Sequence, residues 1–576
     1  MWFVGFSKTN CKNCYACVRH CPVHAISVKN EQAQIIKERC IVCGRCFNAC
    51  PQNAKLIKSE KEMVKHYING KKNVVASVAP SFAAIFGKDS NKLPKALKIL
   101  GFDYIEEAVS TVDPIIDEYE KYANKDDDNT YITSFCPSVN NLIQKYYAEL
   151  AKNIIQVASP SIFHGRVLKE KHGKDTRVVF IGPCLAKKSD GHDDDSIDLV
   201  LTFEELEKWL KEENINLKEL EEEPFDYISK EKRLLPIIGG PTSRIEAKNP
   251  RKNIVQVDGI KDCMKVLEEV KKGKFKNTLI EMSSCRHSCI GGSGMPYDGV
   301  DCYERRENLK QYVKSYSKNK SSECEEVASD EVSSDEFENI SIYKEFKPEE
   351  ILLKQPSSEE LRKILNDMGK YEKIDELNCR SCGYHTCREK AIAVYNNMVE
   401  VNMCLPFMRE KAEDLKNIIF DMTPNIISII NRELEIVQLN PAAEQFFEIS
   451  THSAKGLPVA MFLDEEIFKT VKESKKTVFK EKVILNQKNA TVIQSIIWLE
   501  KNQLMLWIAD DITKDEKIQD KMQKMKIDAI NMAQKVINKQ MTVAQEIASL
   551  LGETTAETKV TLTQLKNLIQ EEEVGL

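Results

Sequence analysis

No stretch of this 576-residue sequence is both long and apolar enough to span a bilayer. The longest weakly polar segment, residues 74–87, is interrupted by Ser77, Pro80 and Ser81. It falls well short of the roughly 20 apolar residues that a helical span needs. The opening Met1-Trp2-Phe3-Val4-Gly5-Phe6 lacks the basic n-region and long h-region of a secretory signal. A soluble, cytoplasmic chain is expected, with no membrane partner. An excess of positive charge is missing too. The net charge of −6 sets nucleic acid aside as the main partner. Histidine is scarce, nine in all and none after His452, so the C-terminal tail is not the phosphoacceptor bundle of a histidine kinase. The length allows about four domains.

Cysteine is abundant, at nineteen residues. In a cytoplasmic chain that number points to metal ligation rather than disulfides. Two matched runs open the sequence: Cys11-x2-Cys14-x2-Cys17-x3-Cys21-Pro22 and Cys40-x2-Cys43-x2-Cys46-x3-Cys50-Pro51. This is the spacing of a bacterial two-cluster ferredoxin, in which the fourth cysteine of each run crosses to the other cubane. Cys11, Cys14, Cys17 and Cys50 are therefore assigned to one [4Fe-4S] cluster, and Cys40, Cys43, Cys46 and Cys21 to a second. A third group is Cys379-x2-Cys382-Gly383-x3-Cys387 with Cys404 farther on. A four-thiolate zinc site is its rival reading to a [4Fe-4S] cluster. A fourth group is dispersed: Cys136, Cys184, Cys285 and Cys289. Of the remainder, Cys263 falls in an amphipathic helical pattern and is expected in a core, and Cys324 in an acidic linker.

The segments divide the chain. Residues 1–62 form the ferredoxin module. Residues 65–312 alternate strand-like runs, such as Asn73-Val-Val-Ala-Ser-Val78 and Arg177-Val-Val-Phe-Ile181, with helical patterns such as residues 203–211. That alternation suggests α/β layers. Residues 313–344 are rich in Ser, Glu and Asp and read as a solvated linker. Residues 345–410 form a small four-cysteine domain, 412–513 a compact α+β domain, and 514–576 a helical tail. In the tail, Gly552 ends one helix, and Thr554 with Glu557 makes a capping box for the next. The expected fold class is a multidomain α+β and α/β protein.

Three segments of the α/β region carry the dispersed cysteines: Thr133-Ser134-Phe135-Cys136-Pro137, Gly182-Pro183-Cys184-Leu-Ala-Lys187-Lys188-Ser-Asp190, and Glu281-Met-Ser-Ser-Cys285-Arg-His-Ser-Cys289-Ile-Gly291-Gly292. Together they resemble the three signatures of the [FeFe]-hydrogenases, over roughly residues 1–310. The resemblance implies that Cys136, Cys184, Cys285 and Cys289 hold the cubane of an H-cluster, and that Cys289 bridges to a two-iron subcluster with CO, cyanide and azadithiolate. It implies that Lys187 hydrogen-bonds a cyanide and that the Ala79-Pro80-Ser81 segment lines the cyanide side. The departures matter. Phe135 stands where typical members have a proton-passing cysteine, and phenylalanine carries no proton to transfer. Gly182 and Ser283 replace two methionines, Val139 a tryptophan and Asp190 a glutamate. Altered groups around a kept ligand set tune a metal centre rather than abolish it. Slow turnover is the expectation, with Glu118 a candidate for the proton path or else part of a surface acidic helix.

The third cysteine group resembles small iron–sulfur domains of anaerobic redox proteins, which favours a further [4Fe-4S] cluster. Residues 421–447, with the Asn440-Pro441 helix start, and the strand patterns at 492–498 and 504–508 resemble a PAS sensor domain. Its single histidine, His452, and lack of cysteine do not indicate haem or thiol-linked flavin. Ile518, Met522, Met525, Ile530, Met532, Val536, Ile537 and Met541 recur at helical spacing and suggest a coiled coil that makes a homodimer. The sequence is read as an H2-sensing [FeFe]-hydrogenase. It would exchange H2 for protons, pass electrons to a ferredoxin-type partner, and signal to an unidentified regulatory protein. The alternatives are a purely catalytic, ferredoxin-linked hydrogenase and a non-catalytic iron–sulfur scaffold without the two-iron unit.

Overall fold

The computed structural model describes residues 3–227, 234–296, 299–318, 339–500, 502–551 and 560–566. Cys324 and the Gly552, Thr554 and Glu557 capping pattern lie outside these residues. The chain divides into two compact units, Met1–Met408 and Arg409–Leu576. Among the described residues no helix is long and apolar enough to cross a membrane.

The first unit begins with two antiparallel strand pairs. Val4–Phe6 pairs with Lys55–Ile57, and Ile26–Lys29 with Gln32–Ile35. Each cysteine run closes on a short helix, Ala16–His20 or Arg45–Asn48. A left-handed residue precedes each helix, Tyr15 at φ 57° and Gly44 at φ 72°. Gly44 must also be small. A Cβ there would stand 2.3 Å from Ser293 Cβ, in the glycine-rich segment after Cys289.

Two parallel sheets follow. One has the strand order Tyr104–Glu107, Val74–Val78, Arg177–Gly182, Leu199–Thr202. The other runs Asn253–Asp258, Thr278–Ser283, Thr130–Ile132. Every residue of Val74–Val78 and of Thr278–Ser283 is buried. Such continuous burial is what a parallel strand covered on both faces requires. The dispersed motifs all sit just past strand ends: Ala79-Pro80-Ser81 after Val74–Val78, Cys136 after Thr130–Ile132, Cys184 after Arg177–Gly182, and Cys285 after Thr278–Ser283. Parallel strands deliver their carboxyl ends to one edge, where open α/β sheets place their ligands.

Part of the stretch read as linker is structured. The helix Cys302–Lys318 covers its first residues. Its last residues lie along the parallel-sheet region as a strap: the Ala158 amide donates to the Ile342 carbonyl at 2.7 Å, and Tyr343 bridges Val157 in antiparallel fashion. The strap continues to Phe346, whose amide donates to Gln156 Oε1 at 2.6 Å, and to Ile351, bonded to the Lys145 carbonyl. Ile340 and Ile342, two residues apart, give it one apolar side, and both join the core of Val109, Ile115, Tyr119 and Phe163. The third cysteine group follows, framed by the helices Ser358–Asp367 and Cys387–Tyr395. Ser357 with Glu360 makes a capping box on the former.

In the second unit, five antiparallel strands are ordered Ile436–Leu439, Ile426–Ile430, Leu504–Asp511, Ala490–Leu499, Val478–Leu485. Alternate residues of Ala490–Leu499 are buried, so one face of the sheet meets the core around Trp507, Phe447 and Phe468. Asn440 caps the helix Pro441–Phe447 through its Oδ1 to the Ala443 amide, and the same oxygen accepts from Ile427. The sheet exits into a 39-residue helix, Thr513–Leu551. On it Ile518, Met522, Met525, Met532 and Val536 are exposed.

Candidate cluster sites

Cys136, Cys184, Cys285 and Cys289 line one cavity. Local structure aims each of them. Cys136 precedes the helix Pro137–Tyr146, and its carbonyl accepts the Val139 and Asn140 amides. Cys285 and Cys289 flank a tight turn. His287 there is left-handed at φ 64°, its amide held by Asp258 Oδ2 at 2.6 Å. The Cys289 amide donates to the Pro236 carbonyl at 3.0 Å. Buried Glu281, in the strand before this turn, accepts from the Gly239 and Thr242 amides and the Thr242 hydroxyl, which fixes the loop that follows Pro236. Ser284 Oγ lies 3.8 Å from Cys136 Sγ and 3.9 Å from Cys285 Sγ.

The thiols face the cavity yet lie deep in the molecule. Burial pushes Cys184 up to about 11 and Cys289 up to about 12, and the neighbouring cysteines push the same way. Burial, then Cys184, Cys136 and Cys289, raises Cys285 well above the ordinary thiol range. A strongly cationic group among these sulfurs would be needed to hold them as thiolates. Among the described residues no group of three His, Cys, Asp or Glu side chains is placed to hold a single metal ion. The quartets surround a space instead, which fits a cluster. The space differs between quartets. The cavity of the dispersed cysteines has a volume of ≈ 110 Å³, against ≈ 20 Å³ for that of Cys11, Cys14, Cys17 and Cys50 and ≈ 20 Å³ for that of Cys379, Cys382, Cys387 and Cys404. Of these three pockets, that of the dispersed set is the roomiest.

Ala79, Pro80, Ser81, Phe135, Lys187 and Ser283 share this cavity lining. So do Pro160, Ser161, Leu235 and Pro236, which sequence reasoning did not single out. The one local signal for the first pair was Ser159-Pro160, a proline-led helix start. The Lys187 ammonium donates to Asp190 Oδ2 at 3.1 Å. Phe135 packs its ring 5.5 Å from that of Tyr119, whose hydroxyl is 2.8 Å from Ser134 Oγ. Glu118 is not brought to the cavity lining. It is buried rather than on an acidic surface, and its carboxylate accepts from Lys121 at 2.8 Å.

The ferredoxin-type runs converge as the repeat implies. Cys11, Cys14, Cys17 and Cys50 line one pocket, so the last cysteine of the second run does join the first three. Burial pushes Cys17 up to about 12, with Cys11, Cys14 and Cys50 adding to it. Burial likewise lifts Cys43 to about 12, and Cys21 and Cys40 reinforce the rise. Equivalent backbone amides donate to the crossing sulfurs: Ala25 to Cys21 at 3.2 Å and Ala54 to Cys50 at 3.3 Å. Amide bonds to sulfur are one lever on cluster potential. Cys379, Cys382, Cys387 and Cys404 line a pocket with Asn378 and Lys390, and Asn378 Oδ1 accepts the Cys387 amide at 2.8 Å. Cys263, as expected, is a core residue, its thiol 3.3 Å from the Ser283 carbonyl.

The quartets are linked by continuous packing. Cys21, Cys40, Cys43 and Cys136 lie against one apolar core with Ile132 and Val139. On the other side, Cys17, Tyr384, Cys382 and Val18 share another. Tyr384 stacks on His24 with ring centroids 4.5 Å apart. Gly383 permits this approach. At φ 94°, a Cβ there would stand 3.2 Å from the Arg19 Cα and amide nitrogen.

Residues 72–293 match the family model of the iron only hydrogenase large subunit, C-terminal domain. Residues 10–54 match a 4Fe-4S dicluster domain, and residues 375–406 a family of Fe-S cluster segments. The chain is 25% identical over 302 residues to iron hydrogenase 1 of Clostridium pasteurianum, covering 41% of this chain and 52% of that protein. It is 25% identical over 370 residues to the NADP-reducing hydrogenase subunit HndD of Solidesulfovibrio fructosivorans, covering 52% and 58%. It is 28% identical over 363 residues to the periplasmic [Fe] hydrogenase large subunit of Nitratidesulfovibrio vulgaris, covering 51% and 86%. The chain spans little more than half the length of the first two. By these matches, residues 72–293 are similar to the iron-only hydrogenase large subunit, and residues 10–54 to a [4Fe-4S] dicluster domain. The cofactors that go with these domains are ferredoxin-type [4Fe-4S] clusters and an H-cluster.

Proposed function

We propose that this protein is a hydrogen-sensing hydrogenase of low turnover, acting by H2 ⇌ 2 H+ + 2 e−. The observation that carries the reading is the four-thiol cavity at the strand ends, roomier than the pocket of Cys11, Cys14, Cys17 and Cys50 or that of Cys379, Cys382, Cys387 and Cys404. Cys136, Cys184, Cys285 and Cys289 would hold the H-cluster. When bound, that group supplies the open iron site at which hydrogen is split or formed. The protein supplies the rest. Lys187 holds an ammonium at the cavity wall beside anionic ligands, and Pro80 and Ser81 shape the same wall. Phe135 excludes water and offers no proton, which supports slow turnover.

Electrons would leave through the core shared by Cys136, Cys40, Cys43 and Cys21 to the ferredoxin-type clusters, and from there to a ferredoxin-like partner. The Cys382–Tyr384 contact with Cys17 and Val18 offers a branch to the third cysteine set. The second unit would act as a PAS sensor domain. Its long helix presents exposed Met522, Met525 and Met532, which suits pairing with a second copy and output to a regulatory protein in the cytoplasm. Infrared spectroscopy of the matured protein tests the reading. Bands of bound CO and cyanide are expected, and their absence from fully matured protein would refute it.

A further inference from the structure

Asp190 lies one helical turn after Lys187 on the helix Ala186–His192, and it is buried. Both of its oxygens are engaged. Oδ2 accepts from Lys187 Nζ at 3.1 Å and from the Ser159 hydroxyl at 2.5 Å. Oδ1 accepts from Lys344 Nζ at 2.7 Å. Ser159 Oγ is 3.1 Å from Ser161 Oγ, and Ser161 and Lys187 both line the cluster cavity. Lys344 comes from the strap, beyond the matched residues 72–293. Its amide donates to the Gln156 carbonyl, and the strap's pairing with Val157 and Ala158 holds the side chain in place.

We infer that Lys344 is a positioning residue for the cluster cavity, acting through Asp190 to set where the Lys187 ammonium stands and how much charge it presents. The inference rests on the hydrogenase reading. Lys187, Asp190 and Lys344 together carry one net positive charge. With Lys344 on Oδ1, Lys187 shares only Oδ2, already bonded to Ser159, and keeps donors for an anionic ligand in the cavity. Without Lys344, Oδ1 of a buried carboxylate is left bare. That is costly, and the nearest cation able to cover it is Lys187. The ammonium would then be drawn back from the cavity into a neutral pair. Charges this deep are weakly screened, so the change is felt at the cavity wall. The strap also ties this site to the third cysteine set. The Lys354 amide and carbonyl both bond to the Asn396 side chain, just past the helix Cys387–Tyr395.

The test is infrared spectroscopy of the cluster-loaded full chain carrying Lys344→Gln. The cyanide stretching bands are expected to shift, with iron content unchanged, and Lys344→Arg is expected to restore them toward the original positions. Tyr343→Ala, at an exposed neighbouring side chain of the same strap, is expected to leave them unmoved. Should the glutamine variant fail to load, Lys344→Met keeps the apolar stem without the charge and reads the same bands. Bands in the neutral variants that superimpose on those of the unaltered protein would overturn the inference alone. A Tyr343→Ala shift equal to that of Lys344→Gln would overturn it too, since the effect would then belong to the strap as a whole. Absence of such bands from the unaltered protein would overturn the hydrogenase reading itself.

Discussion

Phe135→Cys is the sharpest perturbation of the proposed site. Phe135 precedes the ligand position Cys136 and shares the cavity wall with it, so the substitution places a titratable thiol at the cavity. A positioned proton donor contributes about 10²–10⁴-fold in rate. The lower end applies here. Glu118, the candidate next acid, is turned to Lys121 and does not line the cavity, so only the first transfer is supplied. A rise of about 10²-fold corresponds to ~2.7 kcal/mol off the barrier. There is a cost. The Phe135 ring packs against Tyr119 but is only part-buried and borders existing open space. The stability loss should therefore be about 1–3 kcal/mol, below the 3–5 of a fully buried Phe→Ala. Film voltammetry measures the rate, infrared band intensity corrects for loading, and chemical denaturation gives the stability. Phe135→Ser is the control, since a hydroxyl titrates far too high to replace a thiol. A fully loaded Phe135→Cys protein whose rate changes by less than about tenfold, ~1.4 kcal/mol, would refute the claim that proton delivery at this position limits turnover.

Cys289→Ala should abolish hydrogen chemistry while leaving the paramagnetic resonance signals of the reduced ferredoxin-type clusters, because the two ligand sets lie on different segments; loss of both signals would contradict this. Cys50→Ser should disable the cluster held by Cys11, Cys14 and Cys17 and spare the one held by Cys40, Cys43 and Cys46, as read by the same spectra. Burial alone would raise the Asp190 carboxyl, but the Lys187 and Lys344 ammoniums, with bonds from Lys344 and Ser159, outweigh it and hold the pKa at about 2. A depressed folded pKa stabilises above the unfolded value of about 4 and is lost as pH falls from there towards about 2. Acid denaturation of Asp190→Asn should accordingly show a shallower loss of stability over that window. Deleting residues 514–576 should weaken self-association in sedimentation while hydrogen uptake persists; an unchanged dimer would remove the helix as the pairing element.

The ligand sets were legible in the sequence because their information is local. A thiolate every third residue, closed by proline, can be read without knowing where the chain goes next, and the doubled run implied the exchange of Cys50 and Cys21. The dispersed cysteines needed the family motifs, since nothing in their wide spacing requires that they meet. Strand order within each of the two parallel sheets and the packing of those sheets bring them together, and both are properties of the whole fold. Strand-like runs at 73–78 and 177–181 were visible, whereas their adjacency in a parallel sheet was not. Tertiary structure alone decided the rest. It placed Pro160 and Ser161 on the cavity wall, kept Glu118 from it, and set Tyr384 against Cys17. It also converted the end of an apparently solvated stretch into a strap, where Ile340 and Ile342 find an apolar surface and Lys344 finds a buried carboxylate. The physical reason is common to all of these. A short-range pattern specifies what a segment can bind, but whether a charge or a ring is buried beside a distant partner depends on packing between segments that the local pattern does not encode.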